Sequence, residues 1–167
     1  MKIAVLSDIH DHIWNLEKVA NAIRGKVDRI IYLGDFCAPF TAGLLAQIGV
    51  PVTSTLGNND EDQIGLSCQG GDLFTWIPLF QEFGCEEIDG RKLAFCHYPK
   101  LGELLAKTGD YHAVFFGHTH QQVNDQLGKT LLLNPGSVCG IQQARPGKAS
   151  YAIYDTTTNQ AEIIYLI

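Results

Sequence analysis

Apolar residues in this chain fall into short unbroken runs separated by stretches of helical spacing. Lys2 to Leu6 reads Ile-Ala-Val-Leu without polar alternation, the pattern of a strand buried on both faces. From His12 to Arg24 the apolar positions are Ile13, Leu16, Val19, Ala20 and Ile23, a spacing of three and four that predicts a helix, with Gly25 as its stop. Arg29 to Leu33 predicts a second buried strand, Phe40 to Ile48 a helix, and Val52 to Leu56 a third strand. Such alternation predicts parallel strands joined by right-handed crossovers. Glu61 to Phe80 is broken by Gly65, Gly70 and Gly71, and reads as loop and short helix covering whatever site the strand ends form. Phe83 to Ile88 and Lys92 to Cys96 flank Asp89-Gly90, a hairpin signal. Leu101 to Lys107 is helical in pattern, and Ala113 to Phe116 is another buried run. Two more hairpins are expected, Gln121 to Gln126 with Thr130 to Leu133, and Tyr151 to Tyr154 with Ala161 to Leu166. The expectation is one α/β domain over residues 1–167. Its first part is parallel and its second part made of antiparallel hairpins, arranged as two facing sheets with helices outside.

Composition narrows the function classes. The chain is 46% hydrophobic and 18% charged, enough apolar material for a core and too little charge for disorder. Its formal net charge is −6 and it has no basic run, so long nucleic acid is not an expected partner. The five cysteines are odd in number and form no C-x-x-C pair, which argues against a disulfide framework and a structural zinc site. The apolar run from Met1 to Ser7 is too short for a signal-peptide core, and no stretch approaches membrane-spanning length. A cytoplasmic protein without a membrane partner is expected, and a homo-oligomer is compatible with the sequence.

Polar residues collect where the apolar runs end. Asp8-Ile9-His10 follows the first run, Gly34-Asp35 the second, and Gly57-Asn58-Asn59-Asp60 the third. His97 follows Cys96, and Gly117-His118-Thr119-His120 follows Phe116. Ligands of open α/β sheets bind at the carboxyl ends of the strands, so five strand ends are expected to deliver these groups to one rim. Carboxylate and amide oxygens with imidazole nitrogens, and no cysteine, suit octahedral divalent ions better than a thiolate zinc site. Read as extended segments, Asp8 and His10 are expected to point the same way, as are His118 and His120. Gly34, Gly57 and Gly117 are expected to let the backbone turn tightly. Each piece alone has an ordinary reading as a turn or loop; their conjunction in this order points to metal chemistry. Neither G-x-G-x-x-G nor a P-loop pattern occurs, which disfavours a metal-independent nucleotide binder.

The order D-x-H, G-D, G-N-x-D, H, G-H-x-H resembles the calcineurin-like metallophosphoesterases. Asp11-His12, Gly57-Asn58-Asn59-Asp60 and Asn134-Pro135-Gly136-Ser137 resemble more narrowly the small YfcE-type phosphodiesterases. The resemblance implies a four-layer α/β/β/α sandwich of two mixed sheets flanked by helices. It implies two divalent cations, manganese first, with nickel, cobalt, iron, magnesium or zinc as alternatives. Asp8, His10 and His120 would hold one ion, Asn58, His97 and His118 the other, and Asp35 would bridge them. A water between the ions would attack the phosphorus of a small phosphoester in line. Two ions, two carboxylates and a hydroxide leave about one positive charge, which favours a phosphodiester over a monoester. Two positions depart from the pattern. Asn59 stands where many relatives place a catalytic histidine, and His97-Tyr98-Pro99 replaces His-Gly-His. Asp35, Asn58, Asn59 and His12 are the candidate catalytic residues, His12 as a source of a proton for the leaving group. The alternative is a catalytically inactive scaffold of the same fold, like the endosomal retromer subunit, and intact ligand positions argue against it.

Overall fold

The computed structural model describes residues 1–78, 80–142 and 145–167. The first half runs β1 (Lys2–Leu6), α1 (Ile13–Ile23), β2 (Arg29–Tyr32), α2 (Pro39–Ala46), β3 (Val52–Ser54), α3 (Gln63–Gly70), a 3₁₀ turn (Gly71–Leu73) and β4 (Phe74–Trp76). The second half runs β5 (Gly84–Ile88), β6 (Arg91–Phe95), α4 (Pro99–Thr108), β7 (Ala113–Phe115), β8 (Gln122–Leu127), β9 (Thr130–Pro135), β10 (Ile141–Gln142), β11 (Arg145–Pro146), β12 (Ser150–Asp155) and β13 (Gln160–Tyr165).

Two mixed sheets face one another, ordered β13-β12-β1-β2-β3-β4 and β5-β6-β7-β9-β8. Alternate residues of each central strand serve different layers, because side chains on a strand point to opposite faces. Ile3, Val5, Ile31 and Leu33 meet Phe95, Phe115, Leu133 and Tyr154 between the sheets. Ala4, Leu6, Ile30 and Tyr32 face outward onto Leu16, Val19 and Ile23 of α1, Leu45 of α2 and Leu66 of α3. On the other side Ala94, Cys96, Val114 and Phe116 pack beneath Leu105 and Ala106 of α4. The layers are therefore α/β/β/α, and both faces of β1 and β2 are buried, which is why their sequences lack polar alternation. Each fully buried aliphatic side chain contributes about 1.5–3 kcal/mol.

The three expected hairpins form, as β5–β6, β8–β9 and β12–β13. The buried strand β7 lies parallel between β6 and β9, and the β12–β13 hairpin joins the first sheet against β1. One expectation changes. β4 extends the first sheet in parallel beside β3, within the stretch from Glu61 to Phe80 read as loop and short helix. That stretch does supply a helix, α3, capped by Asp62, whose side chain accepts from the Gly65 N–H; Leu79 lies outside the described residues.

Register explains where the site falls. Leu6 is level with Tyr32 and Tyr32 with Ser54, so the segments carrying Asp8, Asp35 and Asn58 leave the first sheet side by side. Phe95 is level with Phe115, so His97 and His118 leave the second sheet together and face them. No helix among the described residues is long and apolar enough to cross a membrane.

Candidate metal centre

The seven side chains expected at the rim converge into two groups that share Asp35. In the first, Asp8 Oδ1 lies 3.3 Å from His120 Nε2 and 3.8 Å from His10 Nε2, and the two nitrogens are 3.2 Å apart. In the second, Asn58 Oδ1 lies 3.1 Å from His97 Nε2 and 2.8 Å from His118 Nδ1, and these nitrogens are also 3.2 Å apart. Asp35 Oδ2 is 3.5 Å from both His10 Nε2 and His97 Nε2, between the groups. Donors bound to one cation at about 2.0–2.2 Å stand about 3.0–3.5 Å from each other. Six of the eight spacings fall in that range, with Asn58 to His118 shorter at 2.8 Å and Asp8 to His10 longer at 3.8 Å.

Asp8, Asp35 and His97 form a buried floor, while Asn58 and His118 are exposed at the mouth. The Asp8 Oδ1 atom is buried and has no hydrogen-bond donor. A carboxylate oxygen orphaned in this way is costly unless a cation meets it. His97 donates from Nδ1 to the Leu33 carbonyl at 2.7 Å, and His120 donates from Nδ1 to the Ile141 carbonyl. Those bonds leave the Nε2 lone pairs bare and aimed inward, the tautomer a metal ligand requires. Two pairs of imidazole nitrogens facing at 3.2 Å repel unless a proton or cation lies between them.

The titration behaviour agrees. Burial opposes charge on Asp8, but His10 and His120 outweigh it and hold the carboxyl well below the usual range. Burial likewise opposes charge on His120, yet Asp8 and Cys139 raise its pKa to about 10. His97 is raised against burial by Asp35, and His10 by Asp8. His118 goes down, through burial and the neighbouring His97. The cluster draws in positive charge, and without a cation protons fill that role.

The local backbone departs from the extended segments expected. Asp8, His10, Asp35, His118 and His120 all have positive φ, between +43° and +68°. Asp and His tolerate the left-handed region better than most residues, but each such position costs free energy and clusters of them occur at functional sites. Asp8 and His10 still meet in one group, whereas His118 and His120 point to different groups because the chain turns at both. Of the three glycines, only Gly34 has positive φ, at +97°. Gly57 and Gly117 serve close approach: a Cβ on Gly57 would lie 2.2 Å from Asp35 Oδ1, and one on Gly117 2.1 Å from Ser7 Oγ.

Asp60 lies in the third motif, but the sequence alone assigns it no role. Its buried carboxylate accepts from the N–H groups of Asp35 and Gly57 at 2.8 Å, Phe36 at 2.7 Å and Cys37 at 3.1 Å. It ties the loop after β2 to the loop after β3 and so fixes Asp35. Asn59 completes this, donating to Asp35 Oδ1 from its backbone and to Oδ2 from its side chain, both at 2.8 Å. Asn134 shapes the opposite rim, donating to the Gly117 carbonyl at 2.9 Å and Thr119 Oγ1 at 3.0 Å. His12 caps α1, its Nδ1 accepting from the Asn15 N–H at 3.3 Å. Cys139, outside the expected donor set, places Sγ 3.8 Å from His120 Nδ1, the side of the ring turned away from Asp8.

Residues 1–159 match the model of the calcineurin-like phosphoesterase superfamily domain. The chain is 30% identical to phosphodiesterase MJ0936 of Methanocaldococcus jannaschii, covering 99% of each protein. Among solved structures it resembles an archaeal phosphodiesterase with a TM-score of 0.88 and 29% identity, covering 99% of this chain and all of that one. Two further likenesses are of fold alone. YfcE, a phosphoesterase of E. coli, has a TM-score of 0.68 at 22% identity, with 93% and 89% of the two chains covered. Vps29 of Entamoeba histolytica has 0.70 at 16%, with 99% and 98% covered. Motif order, layer architecture and the match across nearly its whole length agree: this chain belongs to the calcineurin-like phosphoesterase superfamily.

Proposed function

We propose that this chain is a metal-dependent phosphoesterase that hydrolyses a small phosphodiester, working as one domain with one two-cation centre. The observation that carries the reading is Asp35 Oδ2, equidistant at 3.5 Å from a histidine of each group. Asp8, His10, Asp35 and His120 would hold one ion, and Asp35, Asn58, His97 and His118 the other. The donor set suits manganese or another octahedral divalent ion. Bound cations would supply the charge that polarises the phosphate and makes a water nucleophilic near neutral pH.

The chain's own residues do the rest. Asp60 and Asn59 hold Asp35 in place, so the carboxylate does not reorganise when charge develops. Asn59 has no titratable proton. His12 is the candidate source of a proton for a leaving alkoxide; it would act as the imidazolium, which forms when Nδ1 gives up the Asn15 N–H. No Lys or Arg belongs to either group of ligands. Arg91 is engaged by the Thr156 and Thr157 carbonyls, and Lys100 shares its cleft with Glu82. Two carboxylates and a hydroxide against two divalent ions would leave about one positive charge, which favours a monoanionic diester. Five free thiols fit a reducing cytoplasm. An inactive scaffold of this fold would not need all seven ligand-capable side chains kept in register.

The test is hydrolysis of bis(p-nitrophenyl) phosphate and p-nitrophenyl phosphate with manganese, magnesium, cobalt, nickel and zinc. The diester should be cleaved faster, and only with added metal. A faster monoester contradicts the charge argument, and metal-independent cleavage contradicts the reading as a whole.

A further inference from the structure

Beside the second ligand group the surface opens into a cleft of about 520 Å³, within the roughly 300–1,000 Å³ typical of small-molecule sites. His97 and Tyr98 form the end of the cleft nearest the candidate metal centre. Of the seven candidate ligands only His97 lines it. The cleft therefore meets the centre at its second ligand group.

Its walls are apolar where solvent-facing residues are ordinarily polar. Leu56, Ile77 and Pro78 line one side, and Leu101 and Leu104 of α4 the other. On α4, Gly102, Leu105 and Ala106 bury against the second sheet. Leu104 therefore has no core to serve, yet it is a leucine left 51% exposed. Tyr98 is 47% exposed, and its ring lies 5.1 Å from that of His97 and 5.3 Å from that of His118. An aromatic face thus stands beside two candidate ligands, where the family pattern often has glycine.

The polar groups of the cleft define what its occupant must be. Gln63 and Gln81 offer amides, and Lys100 and Glu82 bring opposite charges that cancel. A second phosphate gains nothing from a wall of zero net charge. A flat group with apolar faces and hydrogen-bonding edges satisfies aliphatic walls, an aromatic platform and amides together.

Resting on the phosphodiesterase reading above, we infer that this cleft is the subsite for the organic half of the substrate, and that the half it takes is a neutral heteroaromatic group of the nucleobase type. Tyr98, Leu104 and Gln63 are then specificity-determining residues.

The test compares two diesters with one leaving group, p-nitrophenyl thymidine 5′-phosphate and p-nitrophenyl methyl phosphate. Wild type should prefer the thymidine diester. Leu104→Glu, at an exposed position, should cut kcat/KM for it by about 10-fold or more, the scale of a lost apolar pocket contact. The methyl diester and the metal content should stay within about twofold of wild type. Equal effects on both diesters, or none on either, overturn the subsite while leaving the activity reading standing. If wild type cleaves neither diester, the activity reading falls. The cleft is then judged by calorimetric binding of thymidine 5′-monophosphate to metal-replete protein. Weaker binding by Leu104→Glu supports it; equal binding, or none by wild type, overturns it.

Discussion

Asp60 holds the centre together without facing it, and its replacement should reveal how much of the site is backbone positioning. Four N–H groups donate to its carboxylate; those of Asp35 and Phe36 are in buried bonds, and those of Gly57 and Cys37 in partly buried ones. In Asp60→Ala the two partly buried donors can turn to water, but the two buried ones are stranded. At about 1–3 kcal/mol for each stranded donor, the loss is about 2–6 kcal/mol. That is a large share of the roughly 5–15 kcal/mol that holds a domain folded. Asp60→Asn gives a sharper contrast. Its amide oxygen can still serve Phe36 and Cys37, but its NH₂ then meets the N–H groups of Asp35 and Gly57, donor against donor. The asparagine variant should therefore recover little of the stability lost by the alanine variant, although it is nearly isosteric with aspartate. Urea unfolding of metal-free protein gives the stabilities, and metal titration at low denaturant shows whether Asp35 keeps its place. If Asp60→Asn is within about 1 kcal/mol of wild type and binds metal normally, the account of these bonds is wrong.

Other outcomes follow from the same geometry. Gly57→Ala would place a Cβ 2.2 Å from Asp35 Oδ1; metal affinity measured by titration should fall by about 10- to 100-fold, and unchanged affinity would show that the loops can separate freely. His12→Ala should slow diesters with poor leaving groups by about 10²- to 10⁴-fold and spare nitrophenyl esters; an equal effect on both would reduce His12 to a helix cap. For the metal-free protein, the His120 pKa of about 10 lies above its ordinary value. A raised pKa means stability fully present below about pH 6.5 and lost as pH rises toward the folded value. Melting temperature should therefore decline from about pH 6.5 to 10, less steeply in His120→Ala, and a flat wild-type profile would contradict the assignment.

What could be read from the sequence was whatever is local. β1 and β2 announce themselves because both faces are buried, and the motif residues stand at strand ends where sheet folds place ligands. β4 stayed hidden, because three residues after a Gly-Gly break carry no period and their pairing with β3 is made across the chain. The parallel placement of β7 between β6 and β9 is likewise non-local. α3 contains two glycines, and its formation depends on the Asp62 cap and on burial of Leu66. Within the site, donor types were legible but the conformations were not: left-handed backbone at Asp8, His10, His118 and His120 is imposed by surrounding contacts. The role of Asp60 could not be seen, since the amides it binds come mostly from a loop about two dozen positions earlier.

The central claim is that two cations share Asp35, and elemental analysis of metal-replete protein, wild type beside Asp35→Asn, tests it most directly. Asp35 Oδ2 touches both groups, so weakening it should reduce both sites together. The account predicts two ions per chain in the wild type, with occupancy of both falling in the variant along with diesterase activity. One ion or none in the wild type, or an Asp35→Asn protein that keeps both ions and full activity, would contradict it.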